Sequence, residues 1–223
     1  MKNCPYCVEK LDDCAIACSS CGQKFTAATL LADPKELGLL LGMEPTKFYW
    51  FADKGGLSPV HYCLLVRKKR SGSIRLILMP KKGLKDLQRA IHHKILFSHA
   101  PSSWAHGFTP GRSILTNAAQ HVGKAVIVKF DIREFFHSIS FARVRGLFET
   151  IGGSREVASL LAALCTFNPK RIDQPSTVEP DAIRRAFCRL RKNGSYAGFQ
   201  RILPQGAPTS PAIANLVSRG MDR

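Results

Sequence analysis

The feature that most restricts the fold of this 223-residue chain is an apolar run, residues 125–130, interrupted only by Lys129 and ending on the carboxylate of Asp131. Its β-branched residues favour an extended backbone, so the run predicts a buried strand that presents Asp131 at the end of a sheet, where ligands gather. An Asp after a strand is more often a turn or capping residue. Both interpretations of Asp131 remain open at this point.

The rest of the chain alternates helical and extended patterns. The predicted strands are 60–66 and 74–79, and the predicted helices are 33–42, 45–52, 84–97, 140–151, 154–166, 179–192 and one that follows a tight turn at 203–211 and ends near Arg219. This mixture predicts an α+β fold. No apolar run reaches the roughly 18–20 residues that a membrane span needs. The N-terminus lacks the apolar core of a signal peptide, which predicts a cytoplasmic protein with no membrane partner.

Positive charge is concentrated in one part of the chain. The net charge is +17, but residues 1–60 carry −1 and residues 61–223 carry +18. Residues 67–94, which include the predicted hairpin tip 67–73, hold ten Lys and Arg against one acidic residue. Such a distribution indicates a polyanionic partner, most simply nucleic acid. A basic surface that only maintains solubility is the alternative interpretation.

Five of the eight cysteines lie within the first 21 residues. Two Cys-x-x-Cys pairs, Cys4 with Cys7 and Cys18 with Cys21, predict a tetrahedral structural Zn²⁺ site, because four thiolates complete its shell. A segment this short cannot bury a core, so the metal would supply most of its folding free energy. A redox pair or chance clustering is the alternative.

Several segments, taken in order, resemble a reverse transcriptase of the bacterial retron type. They are Arg75 in the hairpin, then 84–91, 105–108, 111–114, 117–121, 130–139 and 203–211. The Asn-Ala-x-x-His pattern at 117–121 is similar to the element that sets retron enzymes apart from other reverse transcriptases. The resemblance covers about residues 30–223, nearly everything outside the cysteine cluster.

The resemblance implies RNA-templated DNA synthesis and assigns roles to individual residues. Asp131 would be a catalytic ligand of the two Mg²⁺ ions, and the backbone carbonyl of Ile132 would add a metal contact. Phe136 would pack under the sugar and exclude a 2′-hydroxyl. Gln205 would contact the incoming deoxynucleotide.

The triphosphate would be held by cations of the hairpin. The resemblance assigns this role to Arg75 together with Lys69 or Lys68. Fixed positive charge is what a phosphoryl-transfer site needs against the developing negative charge. Structured RNA template, nascent DNA and deoxynucleotides are the implied partners.

The fold implied by the resemblance is α+β, with the fingers and an incomplete palm of a right-hand polymerase and a small zinc-binding N-terminal appendage. The expected divisions are a zinc ribbon or knuckle at 1–25, N-terminal helices at 30–58, fingers at 59–123 and a partial palm at 124–223.

The chain departs from the family pattern at one point. The family uses two further carboxylates in a Tyr-x-Asp-Asp hairpin, whereas the single Asp-Asp here, Asp12-Asp13, lies in the cysteine cluster. We therefore expect this polypeptide to be inactive alone, as a fragment or a split-enzyme subunit that a second polypeptide completes. The alternatives are a noncatalytic RNA-binding or scaffolding relic, and a zinc-ribbon regulator whose polymerase-like part only binds a partner.

Overall fold

The computed structural model describes residues 2–3, 10–11, 33–52, 61–70, 74–169, 185, 188 and 201–221. Near the N-terminus two short strands, β1 (Lys2–Asn3) and β2 (Lys10–Leu11), pair antiparallel. The zinc ligands predicted at positions 4, 7, 18 and 21 lie outside the described residues. So does nearly all of the helix predicted at 179–192, of which Arg185 and Cys188 are helical.

The first two helices, α1 (Pro34–Leu41) and α2 (Pro45–Phe51), lie where the sequence predicts them. The carboxylate of Asp33 caps α1 by accepting a hydrogen bond from the backbone N–H of Lys35 at 2.8 Å. Gly42 ends the helix with a φ of 68°, a left-handed conformation that glycine adopts without strain. Local sequence therefore determines both ends of α1.

A β-hairpin follows, formed by β3 (Tyr62–Lys68) and β4 (Ile74–Pro80). The strands are antiparallel, with Tyr62 opposite Pro80. Alternate side chains of β4, Leu76 and Leu78, are buried. The predicted hairpin is confirmed, with β3 extending two residues beyond the predicted end.

Helix α3 (Lys82–Lys94) is amphipathic, as its sequence predicts. The apolar residues Leu84, Leu87 and Ile91 are buried along one face, and Ile95 continues that stripe. The α-helix ends earlier than expected, and residues Leu96–Ser98 form a 3₁₀ turn instead.

Five more helices complete the described part. They are α4 (Ile114–Ala119), α5 (Phe135–Ser138), α6 (Phe141–Thr150), α7 (Arg155–Cys165) and α8 (Ser210–Val217), and a 3₁₀ turn (Ser218–Met221) follows α8. Helices α1–α3 share one apolar core with α6–α8, which includes Leu37, Phe48, Ile91, Phe148, Leu161 and Ile213. Among the described residues, none of these helices has both the length and the apolar character to cross a membrane.

A buried glutamine joins the hairpin to this helical core. The Nε2 amide of Gln88 donates hydrogen bonds to the Tyr62 hydroxyl at 3.0 Å and to the Leu164 carbonyl at 2.8 Å. Burial raises the pKa of the Tyr62 phenol, so it remains protonated. Gln88 thus links β3, α3 and α7 through one side chain.

The buried strand predicted at 125–131 is wrong. Residues 125–131 form neither a strand nor a helix, and their side chains are exposed, with Val126 at 77% and Phe130 at 88%. A strand is stabilised by hydrogen bonds to a neighbour. No strand of the described part pairs with this run, so its apolar pattern has no sheet to join.

Candidate active site

The hairpin carries a cluster of exposed cations. Arg67 on β3 lies directly opposite Arg75 on β4, and both side chains are exposed. Lys68, Lys69 and Arg70 follow, also exposed. Like charges directly opposite each other destabilise a sheet. This surface is therefore suited to binding an anion, which would offset the repulsion.

The turn that carries Gln205 is hydrogen-bonded to the free edge of β4. The backbone N–H of Leu78 donates to the Gln205 carbonyl at 2.7 Å. The neighbouring Gly206 has a φ of 122°, and a Cβ there would lie 2.8 Å from Cγ2 of Ile77 and 2.9 Å from the Leu78 carbonyl oxygen. Only glycine permits both the backbone conformation and this close approach. The half-buried Gln205 is thereby fixed three residues along the hairpin from Arg75.

The same segment contacts α5 and α6 upstream of the turn. The backbone N–H of Leu203 donates to the Ile139 carbonyl at 3.0 Å, and the Phe141 N–H donates to the Arg201 carbonyl at 3.1 Å. Ile139 in turn donates to the carbonyl of Phe136 at 3.2 Å. Through these bonds the structure joins the Gln205 turn to the segment of Phe136.

Phe136 lies at the start of α5 and is half-buried. Its ring centroid is 6.2 Å from that of Phe135. Both rings pack against the main helical core. This packing restricts the ring of Phe136, as a residue that selects ligands by shape requires.

Asp131 and Ile132 lie in the exposed segment that precedes α5. Asp131 forms no hydrogen bond or ion pair with another described residue, so both carboxylate oxygens are free to accept a ligand. No group of three His, Cys, Asp or Glu side chains among the described residues could hold a metal ion. Asp131 thus offers an unpaired carboxylate that belongs to no metal-binding group within the described part of the chain.

A tight bend that the sequence did not predict lies between Asp131 and Phe136. Glu134 has a φ of 54°, which is rare for a residue with a side chain. Its Oε2 lies 2.8 Å from Nδ1 of the buried His137. The contact ties the bend to α5 and so fixes the direction in which residues 131–134 approach the helix. The i, i+3 spacing of an acid and a histidine was the one available signal.

Residues 105–113, part of the retron-like pattern, form a loop held by side chains of the loop itself and of α8. The guanidinium Nη1 of Arg112 donates to the carbonyls of Ser102 at 2.6 Å and Ala105 at 2.7 Å. The amide of Asn215 on α8 donates to the Gly107 carbonyl at 2.8 Å. These motif residues therefore organise the backbone between the hairpin and the Asp131 segment.

Arg201 is a second residue that sequence reasoning missed. Its guanidinium donates to the carbonyls of Ala163 at 2.6 Å, Thr166 at 2.7 Å and Ala52 at 3.3 Å. It thereby joins α2, α7 and the segment that leads to Gln205. Nothing in the spacing of the sequence marks this arginine among 33 basic residues.

In chemical terms, the exposed cations of the hairpin suit a phosphorylated ligand, and the Gln205 turn is hydrogen-bonded to the same hairpin. An aromatic ring and a carboxylate lie on the neighbouring segment 131–136. Exposed cations, a ring of restricted position and an unpaired carboxylate are among the features that a nucleotidyl-transfer site uses. They are not the whole of one, because two metal ions need more oxygen ligands.

The chain matches a known protein family over most of its length. The family described as reverse transcriptase (RNA-dependent DNA polymerase) matches residues 66–223. The matched part contains β4, the Asp131 segment and the Gln205 turn.

Individual relatives are retron reverse transcriptases. The chain is 41% identical to the retron Mx65 reverse transcriptase of Myxococcus xanthus over 163 residues, which are 73% of this chain and 35% of that protein. It is 37% identical to the retron Mx162 enzyme of the same organism, over 87% of this chain and 38% of the relative. It is 30% identical to the retron Ec86 enzyme of Escherichia coli, over 67% and 37%. The chain thus spans little more than a third of the length of these relatives.

Proposed function

Because the chain belongs to the reverse transcriptase family, we propose that it supplies the fingers and the first part of the palm of a retron-type enzyme that copies RNA into DNA. The observation that carries this proposal is the pair of backbone contacts at 203–205, to β4 on one side and to Ile139 on the other. These contacts bring the predicted nucleotide residue Gln205 towards both Arg75 and Phe136. The proposed divisions are N-terminal helices at 30–58, fingers at 59–123 and partial palm at 124–223.

The hairpin would hold the triphosphate of an incoming deoxynucleotide. Arg75, whose repulsion from Arg67 a bound anion would relieve, is the proposed main contact, and Lys69 or Lys68 at the end of β3 would assist. Gln205 would hold the nucleotide from the opposite side. The ring of Phe136, fixed by core packing, would reject a 2′-hydroxyl through steric contact.

Asp131 is the proposed catalytic ligand of Mg²⁺, with the carbonyl of Ile132 beside it. The residues present fit part of the metal shell, since the Asp131 carboxylate is exposed and unpaired within the described part of the chain. When bound, the metal would lower the pKa of the primer hydroxyl and neutralise charge on the leaving pyrophosphate. The protein's own task is to present this carboxylate beside the nucleotide pocket.

A second polypeptide segment, carrying the remaining carboxylates, would cover residues 125–130. Four apolar side chains of this run are each more than 60% exposed: Val126, Ile127, Val128 and Phe130. Exposed apolar runs of this kind mark interaction sites. Strand pairing with the incoming segment would bury them and complete the metal shell, so we propose that the chain alone does not polymerise.

The test is DNA synthesis in a reconstituted mixture. The chain is combined with the remainder of a similar retron enzyme, RNA template, primer, deoxynucleotides and Mg²⁺, and templated extension is measured. We expect no extension by the chain alone, extension by the mixture, and a loss of at least about a hundredfold in the Asp131→Asn variant. Asp86→Asn, which removes an exposed carboxylate on α3, is the matched control and should retain full activity.

The competing function is a noncatalytic RNA-binding or scaffolding protein. One observation favours it, because Asp131 lacks companion carboxylates within the described residues. Under this alternative the reconstituted mixture would not extend a primer, and Asp131→Asn would leave RNA affinity intact. Either unchanged synthesis in Asp131→Asn or persistent inactivity of the mixture would reject the polymerase proposal.

The N-terminal cysteines form the proposed zinc-binding appendage at residues 1–25. Thiols in a reducing bacterial cytoplasm, where we place the protein, serve as metal ligands more readily than as disulfides. Cys4, Cys7, Cys18 and Cys21 would bind one structural Zn²⁺. Protein purified without chelator should contain one zinc per chain, and its absence would remove this part of the proposal.

A further inference from the structure

The indole of Trp50, at the C-terminal end of α2, is exposed and yet rigidly supported. Its side chain is 62% exposed. The indole meets the ring of Phe51 edge-on at a centroid distance of 4.8 Å and that of His61 at 4.3 Å. The Nε2 of the buried His61 also lies 3.3 Å from the backbone carbonyl of Trp50, to which it donates. Two aromatic neighbours therefore fix the indole while its remaining surface faces solvent.

The rings adjoin the first turn of α3. A Cβ added to Gly83 would lie 2.9 Å from Cζ of Phe51, so glycine is what allows the ring to approach the helix this closely. The backbone N–H of Lys81 donates to the His61 carbonyl at 2.7 Å. The start of α3 is thereby held against the supports of Trp50.

This turn adds positive charge beside His61, one of the two rings that support the indole. Lys81 and Lys82 directly precede Gly83, and both side chains are exposed. Burial lowers the pKa of His61 and the nearby Lys81 ammonium lowers it further, so the imidazole remains a neutral support at pH 7. Lys47, one turn before Trp50 on α2, is a further exposed cation.

An exposed, immobilised aromatic ring beside cations is the arrangement with which proteins bind unpaired nucleotides. A base stacks on the ring, whatever its sequence, while ammonium groups contact the adjoining phosphates. A duplex offers no free base face away from its ends, so the ring selects single strands. A purely apolar protein partner would leave Lys81 and Lys82 without counterions in a buried interface.

We propose that Trp50, supported by Phe51 and His61 and flanked by Lys81 and Lys82, is a stacking site for an unpaired nucleotide of bound RNA. Trp50, Phe51 and His61 lie outside the residues 66–223 that the family matches, whereas Lys81 and Lys82 lie within them. This inference deepens the proposed function. It rests on that function in one respect, namely that the bound polyanion is RNA. The site is separate from the nucleotide pocket at Arg75 and Gln205.

The chain offers a direct probe, since it contains two tryptophans, Trp50 and Trp104. In the full chain carrying Trp104→Phe, indole emission reports on Trp50 alone. Titration with an unstructured oligouridylate of roughly ten nucleotides, a length within the usual site sizes, should quench this emission. A blunt duplex of the same length should quench it far less.

Affinity measurements complete the test. Trp50→Leu should bind the oligouridylate about tenfold more weakly, whereas Trp50→Phe should retain most of the affinity because a ring remains. Trp104 is 60% exposed and provides a control matched in exposure, so Trp104→Leu should change affinity by less than about twofold. Circular dichroism and thermal unfolding check that each variant folds.

Binding of the RNA with no change in Trp50 emission, together with unchanged affinity in Trp50→Leu, would overturn the inference. So would quenching by an apolar peptide but not by RNA, which would assign the surface to a protein partner. Neither result depends on catalysis. Conversely, failure of Asp131→Asn to reduce DNA synthesis would reject the polymerase proposal and leave stacking on Trp50 untouched.

Discussion

The segments 201–207 and 124–132 both carry residues of the candidate site, but their surroundings are opposite. The first is hydrogen-bonded to β4 on one side and to Ile139 on the other, and Ile202 is 2% exposed. The second has no partner strand in the described part, and Ile127 is 61% exposed. The two segments thus differ in burial because the first has neighbouring backbone groups with which it can form hydrogen bonds, and the second has none in the described part. An apolar sequence favours burial of a segment, but whether the segment is buried depends on the elements that pack against it.

The largest expected difference between the two segments comes from glycine substitution. Gly206→Val should lower the free energy of unfolding by about 4 kcal/mol. The energetic cost of a positive φ in valine adds to the cost of a steric clash with Ile77 and Leu78. Gly123, which directly precedes the second segment, has a φ of 73° with nothing within 4 Å of its Cβ position, so Gly123→Val should cost only about 1–2 kcal/mol. Urea unfolding measures both. An equal loss of unfolding free energy in both variants would show that Gly206 is not closely packed against β4.

A smaller difference is expected from the arginines. Arg201→Ala should destabilise the protein by about 2–3 kcal/mol, because three partly buried carbonyl groups lose a charged donor. Arg133, exposed in the segment before α5, is the control, and its replacement by alanine should change the free energy of unfolding by less than about 0.5 kcal/mol. A comparable loss in both variants would contradict the contrast between the segments.

The smallest effect concerns pH. Burial, with a contribution from the positive charge of Arg219, lowers the pKa of His99 to about 4. The unfolded chain binds this proton near pH 6.5 and the folded chain only near pH 4, so stability falls as the pH falls through that window. The variant His99→Gln should therefore lose less stability on acidification. We expect the fall in the free energy of unfolding to be about 1 kcal/mol smaller, allowing for the partial exposure of His99.

Unfolding at pH 7 and pH 4.5 provides the comparison. Replacing the exposed His121 by glutamine is the control for the same histidine-to-glutamine change at an exposed position. If His99→Gln follows the same curve as the unsubstituted chain, the contact with the end of the 201–221 segment does not bury a neutral imidazole.

The elements that the sequence predicted correctly carry their own signals. Asp33, Pro34 and Gly42 determine α1 through hydrogen bonds within one turn, and the apolar spacing of Leu84, Leu87 and Ile91 suffices for α3. The prediction of a strand at 125–131 was wrong because a strand needs a pairing partner, and the local sequence pattern does not show whether one is present. Arg201 was missed because its three carbonyl acceptors lie 35 or more residues away.

For the candidate site, resemblance named Gln205 and Phe136 but could not give their connection. The link runs through backbone groups at Leu203 and Ile139, which leave no trace in residue type. The bend at Glu134 was likewise unforeseen, since a positive φ at a glutamate depends on a contact with His137. The roles of Asp131, Arg75 and Lys69 remain predictions.

The hydrogen bond between Leu78 and Gln205 makes the hairpin and the glutamine turn one mechanical unit. Because Gly206 packs against β4, any tilt of the hairpin would move the Gln205 turn with it. Under the proposed function, Gln205 and the hairpin cations that contact the nucleotide would therefore shift together.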